Sequence, residues 1–160
     1  MLAVQLPQND DLRRDLLDIG ADMALFYDYW NRKRGRRRMP ARCDLDPVDM
    51  KHHLPGVMLV EVVPDAREFV YRLVGTREAT MRGRDPTGKS VPEEFFADSA
   101  ESAFRCYRKV VAEGAPLVSK NRDFMTPDGR FGREHSVLLP LSDDQVHVSM
   151  ILVYTHHVLR

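Results

Sequence analysis

Cysteine is scarce in this chain, with Cys43 and Cys106 the pair found in 160 residues. Neither belongs to a C-x-x-C or other metal-type spacing, which argues against a zinc module or a disulfide framework and suits a reducing cytoplasm. An excess of charge of one sign is missing too, since 24 basic residues balance 24 acidic ones. No global field therefore draws the chain to nucleic acid or to a membrane surface. No apolar run approaches the roughly 18 residues of a spanning helix. The opening MLAVQLPQNDD has no basic stretch ahead of its apolar residues, so no secretory signal is expected. What remains, 43% apolar and 30% charged residues at a length able to support one core, is ordinary for a single globular domain.

The most pointed motif is GRDPTGKS at residues 83–90, a full match to the phosphate-cradling pattern G-x-x-x-x-G-K-[ST]. A true cradle needs a buried strand before it and a helix starting at its Lys-Ser pair, so that backbone N–H groups converge on the phosphates. Here Gly75 to Arg82 is a polar stretch that reads as helix, Pro86 removes a donor from inside the loop, and Val91-Pro92 follows Ser90. The pattern matches while its flanks do not, and a nucleotide-binding enzyme becomes the least favoured reading.

Periodicity orders the rest. A long helix is expected over about 11–34, capped by Asn9 or Asp10 and stopped at Gly35. Leu12, Leu16, Ile19, Met23, Phe26 and Trp30 form its heptad-like seam, too short for a coiled coil. An irregular stretch, MPARCDLDP, leads to a short helix capped by Asp46 and ended by Pro55-Gly56. Strands are expected over 57–63 and 68–74, as a hairpin, and short helical pieces over 76–82 and 93–96. A stronger helix follows over 99–113, stopped by Gly114, and then strands over 117–125, 133–141 and 145–155. Two antiparallel groups separated by helices make an α+β fold, a five-stranded sheet with helices segregated to one face.

That order is the order of a PAS domain, and the motifs resemble one branch of that superfamily, the PAS_5-type stand-alone bacterial proteins. The resemblance rests on Tyr29-Trp30, Gly35-Arg36, Met39-Pro40-Ala41-Arg42, Asp44-Leu45-Asp46-Pro47, Leu54-Pro55, Tyr71-Arg72-Leu73-Val74-Gly75-Thr76 and Gly83-Arg84-Asp85-Pro86-Thr87-Gly88. It runs from about Tyr29 to Glu94, with the last three strands matching in pattern alone. It implies an N-terminal helix over 1–35, a PAS-like domain over 36–160, and a ligand pocket between the sheet and the crossover helices. It also makes the Gly83 to Ser90 decoy a family turn. Many PAS domains end their last strand in Asp-x-Thr; here the strand ends Val153-Tyr154-Thr155-His156-His157, so any output is expected to pass through a partner. The reactive cysteine motif of flavin photosensors, Asn-Cys-Arg-Phe-Leu-Gln, surrounds neither Cys43 nor Cys106.

Candidate sites follow from both readings, each beside a plainer one. The pocket would draw on Met58, Val60, Tyr71, Leu73, Val148, Met150 and Leu152, with Phe104 and Tyr107 from the long helix and Arg72 as a polar handle. The plain alternative is that most of these are core. The seam from Leu12 to Trp30 would serve either as a dimer or partner surface or as packing on the chain's own sheet. Residues 32–38 hold six cations in seven positions. They read as a solvated helix end or, with Arg36, Arg37, Arg38 and Arg42, as an anion- or nucleic-acid-binding module; Arg42 with Asp44 or Asp46 would instead be a structural ion pair. No metal or haem site is expected, because His52-His53 are adjacent, His135 and His147 lie on separate strands without an acidic companion, and His156-His157 sit at a strand end. No nucleophile-base pair specifies catalysis. The expectation is a cytoplasmic, non-catalytic sensory or regulatory domain that binds an unidentified small molecule or docks a signalling protein such as a kinase or regulator, with a homodimer as one arrangement.

Overall fold

The computed structural model describes residues 9–94 and 100–160. The end of the helical piece expected over 93–96, and the start of the one expected from residue 99, lie outside them. The chain begins with two helices, α1 (Asp10–Ile19) and α2 (Ala21–Arg34). Asn9 caps α1 by accepting from the Leu12 N–H at 3.0 Å, as its sequence position implies. The single long helix expected here is broken at Gly20, whose backbone is extended. Glycine is costly inside a helix, and the break lets α1 fold back on α2. Arg13 then clasps Asp28 with two bonds of 2.9 Å, a pairing that a straight helix would hold about 22 Å apart along its axis.

After two single-turn helices, Arg42–Asp44 and Leu54–Gly56, come β1 (Val57–Val62) and β2 (Phe69–Val74). The crossover holds α3 (Thr76–Arg82), α4 (Val91–Glu94) and α5 (Ala100–Glu113), and β3 (Leu117–Met125), β4 (Phe131–Leu141) and β5 (Met150–Leu159) follow. All five strands form one antiparallel sheet in the order β2-β1-β5-β4-β3. The fold is therefore α+β with a five-stranded antiparallel sheet, as the pattern of the sequence implies.

Helices cover both faces of the sheet, where the sequence reading segregates them to one. Val153 and Met58 face α3 and α5, whereas Tyr154 donates its hydroxyl to Asp22 of α2 at 2.8 Å. Consecutive strand residues point to opposite faces, so Ile151, Leu152, Val153 and Tyr154 are all buried because each face has its own cover. The seam is spent on this packing: Leu16, Met23 and Phe26 are fully buried, and Trp30 donates Nε1 to the Pro140 carbonyl at 2.9 Å. Leu12 and Ile19 pack more loosely against the same core. The surface that sequence alone offered for dimerisation is thus interior.

β5 also starts five residues later than the sequence reading puts it. Asp144 accepts from the N–H groups of Val146 and His147 at 2.8 and 2.7 Å, which diverts the backbone from the ladder. Gln145 adopts φ 65° in that turn and clasps the Met39 backbone through Nε2 at 2.9 Å, so the Met-Pro segment is tied to the β4–β5 connection.

Candidate functional site

The space between the sheet and the crossover helices is where a ligand pocket was expected. Its wall takes Met58, Tyr71, Glu134, Ser136, Leu138 and Val153 from the strands, Arg82 from α3, Ala103, Cys106 and Tyr107 from α5, and Arg122 from β3. The cavity left between them is about 20 Å³. That is room for about one water, against the roughly 300–1,000 Å³ of ordinary ligand pockets. Side chains fill the difference. Arg82 lies 4.9 Å over the Tyr71 ring and donates to its hydroxyl at 3.2 Å and to the Glu94 carbonyl at 2.9 Å. Burial raises the Tyr71 and Tyr107 hydroxyl pKa values, so both stay neutral.

Beside this filled space lies a cluster of ionisable side chains in the core. Glu78 of α3 is fully buried and its carboxylate accepts from the Thr155 hydroxyl. His157 stands between two carboxylates, with Nδ1 3.6 Å from Glu78 and Nε2 3.3 Å from Glu134. The Phe124 ring meets the imidazole edge-on at 5.1 Å. Burial is the main cause that pushes the Glu78 carboxyl above its ordinary range; His157 opposes the shift and Glu134 adds to it. Among the described residues, these three bring donor atoms of the metal-ligating kind within 4.8 Å of one another. The two carboxylates nevertheless approach opposite ring nitrogens, and Arg82 and Arg122 line the adjacent cavity. The imidazole thus stands between the two carboxyl groups and joins α3, β4 and β5, a poor arrangement for a chelate.

Of the residues expected at the pocket, Met58, Tyr71 and Tyr107 meet there, and Val60 lies on the same face of β1. The others do not. Arg72 points outward and pairs with Glu61, and Leu73 is exposed beside it. Phe104 packs on Phe69 at 5.9 Å. Val148 falls in the turn before β5, and Met150 and Leu152 alternate with Val153, so they face α1 and α2. The sheet reading was one residue out of phase in β5.

The basic run is tied into the fold. Lys33 pairs with Asp49 at 3.2 Å, Arg37 with Asp44 at 2.8 Å, and Arg38 donates to the Glu113 carbonyl at 2.9 Å. Arg37 takes the partner that Arg42 was expected to have, while Arg36 is exposed. Residues 83–90 form no cradle. Gly83 closes α3 with φ 79°, Gly88 donates its N–H to the Tyr71 carbonyl at 2.7 Å, and Lys89 accepts from the Tyr71 N–H at 3.0 Å. The N–H groups that would hold phosphates are spent within the protein, Gly88 on β2, Lys89 on the Pro86 carbonyl and Thr87 on the Asp85 carboxylate.

Glu78, Arg82, Glu134 and His157 escaped the sequence reading. A signal existed for one of them: in β4 the alternation Gly132, Glu134, Ser136, Leu138 puts a carboxylate on a core face. His147 likewise has the acidic companion denied to it, Asp144 at 2.8 Å, within one turn.

A family model described as PAS domain matches residues 21–154. No curated protein matches the chain in sequence. Among solved structures the chain is similar to the PAS domain of the fruit-fly ELK potassium channel, with a TM-score of 0.54 and 10% identity over 71% of this chain and 94% of that one. It is similar also to the LOV domain of a blue-light-activated histidine kinase from Erythrobacter litoralis, with a TM-score of 0.51 and 13% identity over 65% and 95%. VqmA bound to DPO matches with a TM-score of 0.53 and 16% identity over 69% and 56%.

Proposed function

The chain belongs to the PAS domain family, and on that premise we propose that it is a non-catalytic regulatory domain of signal transduction that docks a signalling protein such as a kinase and encloses no large ligand in its core. One observation carries the reading: the core cavity measures about 20 Å³. A solved light-oxygen-voltage domain similar in fold is described with a flavin analogue, which makes flavin the ligand to test first. These residues do not fit it, because Tyr71, Arg82 and Tyr107 occupy the space that an isoalloxazine ring would need. Cys106 borders the cavity as a small apolar neighbour.

The filled core turns the domain's chemistry outward. A PAS sheet whose interior is complete has its helices and strand ends left as the means of contact. The experiment is a titration of the purified protein with flavin mononucleotide, followed by flavin fluorescence and visible absorption. The expected result is no saturable binding and a colourless preparation. Stoichiometric flavin binding would overturn the reading.

A further inference from the structure

The crossover helix α3 is fastened to the sheet by charged side chains. Its sequence, TREATMR, offers Ala79 and Met81 as apolar residues, and among the described residues neither belongs to the apolar core. Arg77, Glu78 and Arg82 hold the helix instead. Arg77 lies 5.6 Å over the Tyr154 ring and donates Nη2 to the Thr155 carbonyl. Arg82 donates to the Met58 sulfur at 3.3 Å as well as to the Tyr71 hydroxyl. A guanidinium keeps its charge at any pH the fold meets. Of these three anchors, Glu78 is the one that titrates.

The geometry around Glu78 makes its proton matter. The side chain is fully buried, and its Oε1 accepts from the Thr155 hydroxyl, while Oε2 has no hydrogen-bond partner among the described residues. His157 Nδ1 is buried and unmatched as well, 3.6 Å from Glu78 Oε1 and so beyond hydrogen-bond reach. Glu134 of β4 stands 3.3 Å from the far side of the imidazole, and Arg82 acts on the carboxyl from α3 itself. The adjoining cavity adds Tyr71 of β2, Arg122 of β3, and Cys106 and Tyr107 of α5. A neutral carboxyl is tolerable in this setting. An ionised one is a buried charge whose Oε2 lacks a donor. Burial accordingly raises the Glu78 pKa above its ordinary value near 4.5; Glu134 adds to the shift, and His157, Thr155 and Arg82 oppose it. The chain is tied on either side of the helix, by the Gly75 N–H on the Val57 carbonyl at 2.8 Å and the Gly88 N–H on the Tyr71 carbonyl at 2.7 Å. Those ties bound the segment that is free to part from the sheet.

We propose that Glu78, His157 and Glu134 form a proton-operated latch: α3 is held on the sheet while the Glu78 carboxyl is protonated, and it parts from the sheet between Gly75 and Gly88 once that proton is lost. The hold is complete below the ordinary carboxyl value near 4.5 and is lost as pH rises through the higher folded-state value. The latch is separate from the docking role, and its failure would leave that role untouched. Amide hydrogen exchange of the full chain tests it, measured from about pH 5 to about pH 9 with the intrinsic exchange rates divided out. Protection of the α3 amides is expected to fall about tenfold or more with rising pH, while that of β4 holds. Glu78→Gln keeps an acceptor for Thr155 and cannot ionise, so its α3 protection should stay level across the range. Glu134→Gln provides the second variant. It removes a negative charge that holds the Glu78 proton in place, so the fall should move to lower pH with the circular dichroism unchanged. Level α3 protection in the wild type, an equal fall in Glu78→Gln, or a fall that stays put or moves to higher pH in Glu134→Gln would each overturn the assignment.

Discussion

At the residue scale, a buried carboxylate carries the sharpest consequence. Glu78 is fully buried and its pKa is raised mainly by burial, with Glu134 adding and His157 opposing. The native state therefore holds this proton more tightly than the unfolded chain does. Its contribution to stability is greatest below the ordinary value near 4.5 and is lost as pH rises through the folded-state value. Glu78→Gln keeps an oxygen for the Thr155 hydroxyl and removes the titration. Urea unfolding at a series of pH values is expected to show the variant gaining on the wild type as pH rises above about 4.5. A variant that loses ground to the wild type as pH rises would contradict this. His53, packed against the Phe26 and Tyr154 rings at 5.2 and 5.0 Å, works with the opposite sign. Burial lowers its pKa, so its share is full above the ordinary value near 6.5 and is lost on acidification. Comparing variant with wild type cancels that background. Other residues explain the family motifs directly. A Cβ on Gly75 would sit 2.2 Å from the Leu54 carbonyl and 2.4 Å from that of Pro55, so the glycine of YRLVGT is a place of close backbone approach. The Tyr29 hydroxyl accepts from the Asp46 N–H at 3.1 Å, which joins the motif's aromatic end to its Asp-Pro.

At the scale of elements, the helical hairpin α1–α2 decides how the sheet is covered. Phe26 is fully buried, 5.0 Å from the Tyr154 ring. Phe26→Ala is expected to lower stability by about 3–5 kcal/mol, as large-to-small changes of a buried aromatic do. Because the seam packs within one chain, the urea midpoints of wild type and variant should be the same at low and high protein concentration. A wild-type midpoint that rises with concentration would show the seam to be shared between chains. The elements themselves were largely legible: the bounds of β3 agree with its apolar pattern, and β1, β2 and β4 differ by no more than two residues. Two features were hidden for different reasons. The turn at Gly20 needs α1's packing on α2 to make it worthwhile, and a helical periodicity of four and three persists through it. The start of β5 is set by Asp144, whose side chain outcompetes the ladder over residues that alternate well enough to be strand.

At the scale of the whole molecule, the order of strands and turn motifs identified the family, and the site did not follow from it. Motifs are local in the chain. The Glu78–His157–Glu134 bridge joins three elements far apart in sequence, and whether an inward-facing residue lines a pocket or fills it depends on the opposing side chains. Tyr71 and Tyr107 were expected to surround a ligand, and with Arg82 they occupy its place. GRDPTGKS shows the same limit from the other side, since eight residues match a cradle while their N–H groups are taken by α3, by the loop itself and by β2. The central claim is that this PAS core is completed by its own side chains, and electron density of freshly purified, crystallised protein tests it most directly. Between Met58, Tyr71, Glu134 and Tyr107 the expected density is that of the side chains and at most one ordered water. Density for an organic molecule there, with Tyr71 or Tyr107 swung aside, would contradict it.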